Sequence, residues 1–344
     1  MDTSSLKGDA GKARFPQWKD LIGYAIAALC LLWVFHDVRM GDLFRSAKNL
    51  NWWWVAVAVF FDVASYICQG IRWRMLLHPL GRVSVVGATQ AIYAGLFVNE
   101  ILPMRMGELL RTYLVSRWIS VRLTEVLPSV LVERFFDAIW LALAFGVTVL
   151  SVPLPRYLVH AEEILGYGAL AATAVVTYLL LSFRQPNRAA PVGDSRKRPL
   201  VGILNLIGKA ADGIRDIGRS RYFYASYFVS LLLLIGQILS YWIVMRAYGL
   251  KLSFWQGAAI LLILHVGTAI PSAPSNVGTY QFFSVLGLTL FGIDKTVATG
   301  FSVVVFLILT IPLWIIGLLV FGHLGLSLKG VRTDIAALGK RLKV

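Results

Sequence analysis

Residues 99–111 read NEILPMRMGELLR, placing Glu100, Arg105, Glu108, Arg111 and a Pro103/Gly107 pair in a chain that is 58% hydrophobic and only 15% charged. The apolar run 83–102 stops at Pro103. Beyond it, Glu108–Trp118 is too short to cross a hydrocarbon layer that takes about 20 helical residues to span. Backbone broken at membrane depth is tolerated only where protein or a water-filled cavity satisfies its N–H and C=O groups. The stretch therefore predicts a re-entrant helical hairpin, 83–118, whose tip borders a polar cavity.

The rest of the 344 residues extends that reading to an all-α polytopic membrane protein. Full spans are expected at 20–36, 52–71, 126–150, 159–183, 222–248 and 296–325. A second apolar run, 254–270, meets Pro271, Pro274 and Gly278, and only about a dozen apolar residues follow before Gly292. It predicts a second re-entrant hairpin, 254–291. Pro103 precedes Gly107 by four positions, as Pro274 precedes Gly278. The two membrane halves, 20–183 and 222–325, thus read as a repeat, and counting spans makes them inverted. Paired broken segments at matching positions point to a transporter's binding site.

A formal charge of +15 invites a nucleic-acid reading, but the placement of the basic residues argues for a membrane instead. With the 1–19 tail inside, inner segments hold 25 of the 33 Lys and Arg, outer segments hold 7, and Arg134 lies within a span. This asymmetry places both termini, including the basic 326–344 tail, in the cytoplasm. It makes anionic inner-leaflet lipids the first expected partners and gives no role to nucleic acid. The basic insertion 184–221 carries Leu200, Ile203, Leu204, Ile207, Ala211, Ile214 and Ile217 at helical spacing, which suits a helix lying on the inner membrane surface or a plain linker helix. Leu21–Phe35 lacks a following small-residue cleavage site and reads as a retained first span.

Charge inside the spans marks the candidate site. Glu133 and Asp137 share a helix face at i and i+4 with Arg134 beside them, and ionisable groups in a span by default mark function. The plainer alternative is an ion pair tying this span to the first hairpin. Arg105 and Arg111 offer guanidinium forks suited to phosphate oxygens, with Asn99 and Glu108 alongside. In the second hairpin Ser272, Ser275, Asn276, Thr279, Tyr280 and Gln281 either hydrogen-bond a headgroup or satisfy their own broken backbone. Asp62 and His265 are isolated intramembrane ionisables and, with Glu133 and Asp137, candidate proton carriers. Cys30 and Cys68 read as buried thiols. The sequence holds no phosphate loop, zinc-protease motif or nucleophile elbow, so no cofactor or metal is expected.

The run Asn99, Pro103, Arg105, Gly107, Glu108, Arg111, followed by Glu133-Arg134, Asp137 and the Pro271/Pro274/Gly278 segment, resembles the lysylphosphatidylglycerol synthase transmembrane, or flippase-like domain, family over roughly residues 45–325. The chain is similar to the free-standing form of that domain, without the aminoacyl-transferase. The family's second-half motif commonly reads Pro-Gly-Gly-x-Gly followed by a glutamate. Here the residues are Pro274-Ser275-Asn276-Val277-Gly278 and Gln281. The resemblance implies movement of a polar-headed lipid between leaflets: an aminoacylated phospholipid, a polyprenyl-linked sugar or a hopanoid. Together these readings point to a flippase of the bacterial inner membrane for an anionic or phosphate-containing lipid, acting alone, as a homo-oligomer or beside a lipid-synthesising enzyme. The alternatives are an integral-membrane enzyme acting on a lipid-linked substrate, and a scaffold subunit for one.

Overall fold

The computed structural model describes residues 18–36, 50–102, 106–152, 213–214, 216–269 and 273–326, and among these all regular structure is helical. In chain order the helices are α1 (Trp18–Phe35), α2 (Trp52–Leu77), α3 (Val85–Ile101), α4 (Met106–Trp118), α5 (Leu123–Ser151), α6 (Tyr222–Ala247), α7 (Phe254–Thr268), α8 (Thr279–Leu290) and α9 (Lys295–His323). Three of them, α2, α6 and α9, are long and apolar enough to cross a membrane. With 29 residues α5 has the length as well, but it carries Glu133, Arg134 and Asp137. The expected span 159–183, the N-terminal tail before residue 18, residues 184–212 and the C-terminal tail from residue 327 lie outside the described residues, as do Pro103 and Pro271.

The expected span 52–71 needs correction, because α2 continues six residues further, to Leu77. A hydropathy reading stops at Arg72 and assigns it to an inner loop. The structure buries it instead, because carboxylates from α5 meet it. At the other end of α2, Asn51 caps the helix by accepting from the Trp53 and Trp54 amides, and Trp52, Trp53 and Trp54 are exposed.

Both broken segments fold as antiparallel helix pairs. In the first, α3 and α4 approach so closely that a Cβ on Gly107 would lie 1.7 Å from the Gly95 carbonyl oxygen. In the second, α7 packs on α8 through Gly267 against Phe283 and Gly287 against Ile260. Each arm is short, about 26 Å for the 17 residues of α3 and about 18 Å for the 12 of α8.

The pairs open toward opposite ends of the bundle. Arg74 Nε donates to the Val83 carbonyl and His78 stacks on Tyr222, which groups the ends of α2, α3 and α6. The Asn51 amide donates to the Ala247 carbonyl and Lys295 Nζ to the His36 carbonyl, grouping the other ends with α7 and α9. The largest apolar cluster joins α6, α7, α8 and α9 around Tyr241, Val244, Leu262 and Phe301. Ile214 and Ile217, the described end of the insertion, pack on Leu76, Val132 and Phe136.

Candidate functional site

One buried charge cluster organises the first half. Successive turns of α5 present Glu133 and Asp137 to Arg72, which reaches across from α2. Arg72 Nη2 donates to Glu133 Oε1 at 3.1 Å, Nη1 donates to Asp137, and Nη1 also donates to Ser230 Oγ of α6 at 3.1 Å. Arg72 and Glu133 are almost wholly buried. The second Glu133 oxygen sits 2.7 Å from Arg111 Nη2, and the Arg111 guanidinium lies over the Trp73 ring at 4.7 Å. Glu133 thus joins α2, α4 and α5. A buried carboxylate between two guanidiniums is tolerable because charge balances charge where water is absent.

Arg134 is placed differently. Its side chain is 45% exposed, donates to Glu108 Oε1 at 2.6 Å and stays 3.5 Å from Asp137 Oδ2. The geometry therefore separates a locked cation, Arg72, from an accessible one, Arg134, and the two share Asp137.

The two hairpin tips touch. Asn99 Oδ1 accepts from the Gly107 amide at 2.7 Å, which satisfies a donor at the start of α4. Across the gap Ser275 Oγ donates to the Glu100 carbonyl at 3.0 Å. Ser275 and Asn276 hold φ of +58° and +52°, and Gly278 holds +90°. The left-handed positions 275, 276 and 278 coincide with the three glycines of the family motif quoted above. Side chains at 275 and 276 cost roughly 1–2 kcal/mol each in that conformation, and the Ser275 bond to Glu100 offsets part of this. Gln281 Oε1 accepts from the Gly278 amide at 2.7 Å. It serves the broken backbone rather than the cavity, as does the Thr279 hydroxyl, which donates to the Asn276 carbonyl.

Between the tips lies a cavity of about 470 Å³. Arg72, Arg134, Asp137, Glu108 and Asn99 line it from the first half, and His265, Ser275 and Asn276 from the second. Its size falls within the range of small-ligand sites, roughly 300–1,000 Å³. Arg111 and Glu133 stand behind this wall; Arg111, with Asn99, Glu108 and Arg134, borders a second, much smaller void of about 20 Å³. Asp62, Thr279, Tyr280 and Gln281 are not among the lining residues, and Arg105 and Ser272 lie outside the described residues. Arg72, Glu100, Gln69, Tyr66 and Gln237 line the cavity without having been picked out from sequence. For Glu100 a signal was present, since it sits one turn before Pro103, and its Oε2 accepts from Trp314 Nε1 of α9 at 3.2 Å.

A helical bundle with membrane-crossing apolar helices, two oppositely opening hairpins and a charged interior cavity defines a class, membrane proteins with a polar site inside the bundle. The chain belongs to the lysylphosphatidylglycerol synthase TM region family, which matches residues 21–317. It is similar to a UPF0104 membrane protein of Methanothermobacter thermautotrophicus, 24% identical over 307 residues covering 82% of this chain and 86% of that one. It is also similar to a UPF0104 membrane protein of Methanocaldococcus jannaschii, 22% identical over 315 residues covering 82% and 88%. A shorter likeness, 29% over 124 residues, relates 36% of this chain to 20% of the Glycosyltransferase AglD of Haloferax volcanii.

Proposed function

We propose that the protein moves a phosphate-bearing lipid between leaflets of the cytoplasmic membrane, with α3–α4 and α7–α8 acting as re-entrant hairpins of two inverted halves. The observation that carries this reading is the half-exposed Arg134 at a cavity enclosed by both tips. Arg134 exchanges its carboxylate partners Glu108 and Asp137 for phosphate oxygens, which suit a planar guanidinium fork. Arg72 and Glu133 hold Asp137 and α5 in register for that exchange. Ser275 and Asn276 face the other side of the headgroup, while acyl chains remain in the bilayer. Basic residues gather at the end where α2 meets α3 and α4 meets α5 (Arg74, Arg82, Arg117, Arg122), which supports placing that end and both termini on the cytoplasmic side.

The likeness to a protein named a glycosyltransferase, over a fifth of that protein, supports the enzymatic alternative, and one experiment separates the two readings. The test uses purified protein in vesicles with acyl-labelled phosphatidylglycerol, its leaflet read by an impermeant quencher and its mass by spectrometry. Expected are rapid exchange between leaflets, unchanged lipid mass, and about a tenfold or greater loss in Arg134→Ala, as removing one charged hydrogen bond of roughly 1.5–3 kcal/mol requires. Lipid of altered mass would establish the enzymatic alternative, and exchange equal to protein-free vesicles would overturn the transport reading.

A further inference from the structure

The transport reading leaves one buried carboxyl unused. Asp62 lies midway along α2, is 6% exposed, and its Oδ2 has no hydrogen-bond partner. Tyr66 stands one turn on from it in α2, Tyr93 of the first hairpin packs on Tyr66, and the second hairpin brings Tyr280 into the same bundle interior. Tyr66 and Tyr93 pack at 5.5 Å between ring centroids, and the Tyr93 hydroxyl is buried and likewise without a partner. On the remaining sides α6 approaches through Gly236 and Ser240, and α9 through Phe306, which packs on Tyr280. Both helices carry charged or titratable basic residues only at their ends, Arg246, Lys295 and His323. Among the described residues no cation pairs with Asp62, unlike Glu133 and Asp137.

An unpaired carboxylate in apolar surroundings costs several kcal/mol, and a bound proton removes that cost. Tyr66 also lines the cavity between the tips, as does Glu100. We infer that Asp62 is a proton-binding site, and that its loading and unloading is coupled to movement of the headgroup next door. The inference rests on the transport reading and adds its energy source. Uncharged, Asp62 packs dry against both hairpins. Charged, it draws water between Tyr93 and Tyr280, so one proton acts on both tips at once. No bond is made or broken beyond O–H; the proton enters from one aqueous side and leaves to the other.

Vesicles of phosphatidylglycerol and phosphatidylethanolamine with acyl-labelled phosphatidylglycerol, in sodium-free buffer, are given a pH step across the membrane. For one proton exchanged per lipid, each pH unit shifts the leaflet ratio about tenfold. The wild type and Asp62→Glu are expected to show this, and Asp62→Asn to exchange lipid with no shift. Exchange in the wild type that ignores pH, or follows a sodium gradient, overturns the inference and leaves the transport reading intact. If no lipid moves, the transport reading fails and infrared titration decides the site alone. A protonated-carboxyl band lost in Asp62→Asn sustains it, and an unchanged spectrum ends it. Should Asp62→Asn not fold, Tyr93→Phe is expected to displace the titration of that band, and an undisplaced titration overturns the assignment.

Discussion

The two hairpins share a plan, in which a long apolar arm, a proline, a glycine four residues on and a shorter arm return the chain to its starting end. They solve the break in the middle by different chemistry. In the first, Asn99 closes its own turn and two side chains reach outward, Arg111 to Glu133 and Glu108 to Arg134. The second turns inward, where Gln281 and Thr279 satisfy local backbone, and Ser275 bonds across to the other tip. Among the described residues, one tip is therefore cross-linked to the body of the protein by charge, and the other is held by neutral hydrogen bonds and packing. In the proposed transport that asymmetry would let the second tip part first, because an element held by neutral hydrogen bonds separates at less cost than one held by ion pairs.

The matched glycines sharpen the contrast. Gly107 is required by space and Gly278 by conformation as well as space, since a Cβ on Gly278 would meet the Ala27 carbonyl of α1 at 2.4 Å. Gly107→Ala is expected to have the largest effect of all. Its methyl would overlap backbone, which cannot rotate away, so the hairpin opens and the protein loses its monodisperse peak on gel filtration. Next comes Glu133→Gln, which removes the charge that balances buried Arg111 and weakens the hold on Arg72. A loss of about 3–5 kcal/mol in unfolding free energy is expected, since removing one partner strands the other charge. Equal stability of Glu133→Gln and wild type would show that charge does not hold the first tip. Smallest is the second tip. Ser275→Ala should cost about 1 kcal/mol, one neutral hydrogen bond, whereas Ser275→Gly should recover that loss by relieving the left-handed backbone. If Ala and Gly behave alike, conformation is not what distinguishes this turn.

The breaks themselves were legible, because proline, glycine and arm length are local signals. So was the face shared by Glu133 and Asp137, four residues apart on one helix, which both meet Arg72. Arg72 was not, since its membership in the core depends on carboxylates 61 and 65 positions away, and hydropathy ends the span just before it. Arg111 looked like a phosphate ligand because sequence shows a cation near a break. Only the fold reveals that Glu133 already claims it. For Gln281 residue type left headgroup binding and backbone satisfaction both open, and the fold shows the second, with its Oε1 accepting from the Gly278 amide. Local pattern identified where backbone fails, and tertiary contact decided which polar groups remain free for a substrate.

The three indoles at the start of α2 have a consequence for depth. Consecutive residues point about 100° apart, so Trp52, Trp53 and Trp54 ring most of the helix. Indoles prefer the headgroup layer, and a collar of this kind lets α2 turn or tilt while opposing any piston stroke. Measured along the axis, Asp62 then sits about 15 Å beneath the collar and Arg72 about 30 Å beneath it. In the transport proposed above, that spacing would set the acid near the bilayer centre and the guanidinium near the opposite headgroup layer, so a phosphate entering from that layer would meet its partners after a short descent while a proton would travel half the membrane.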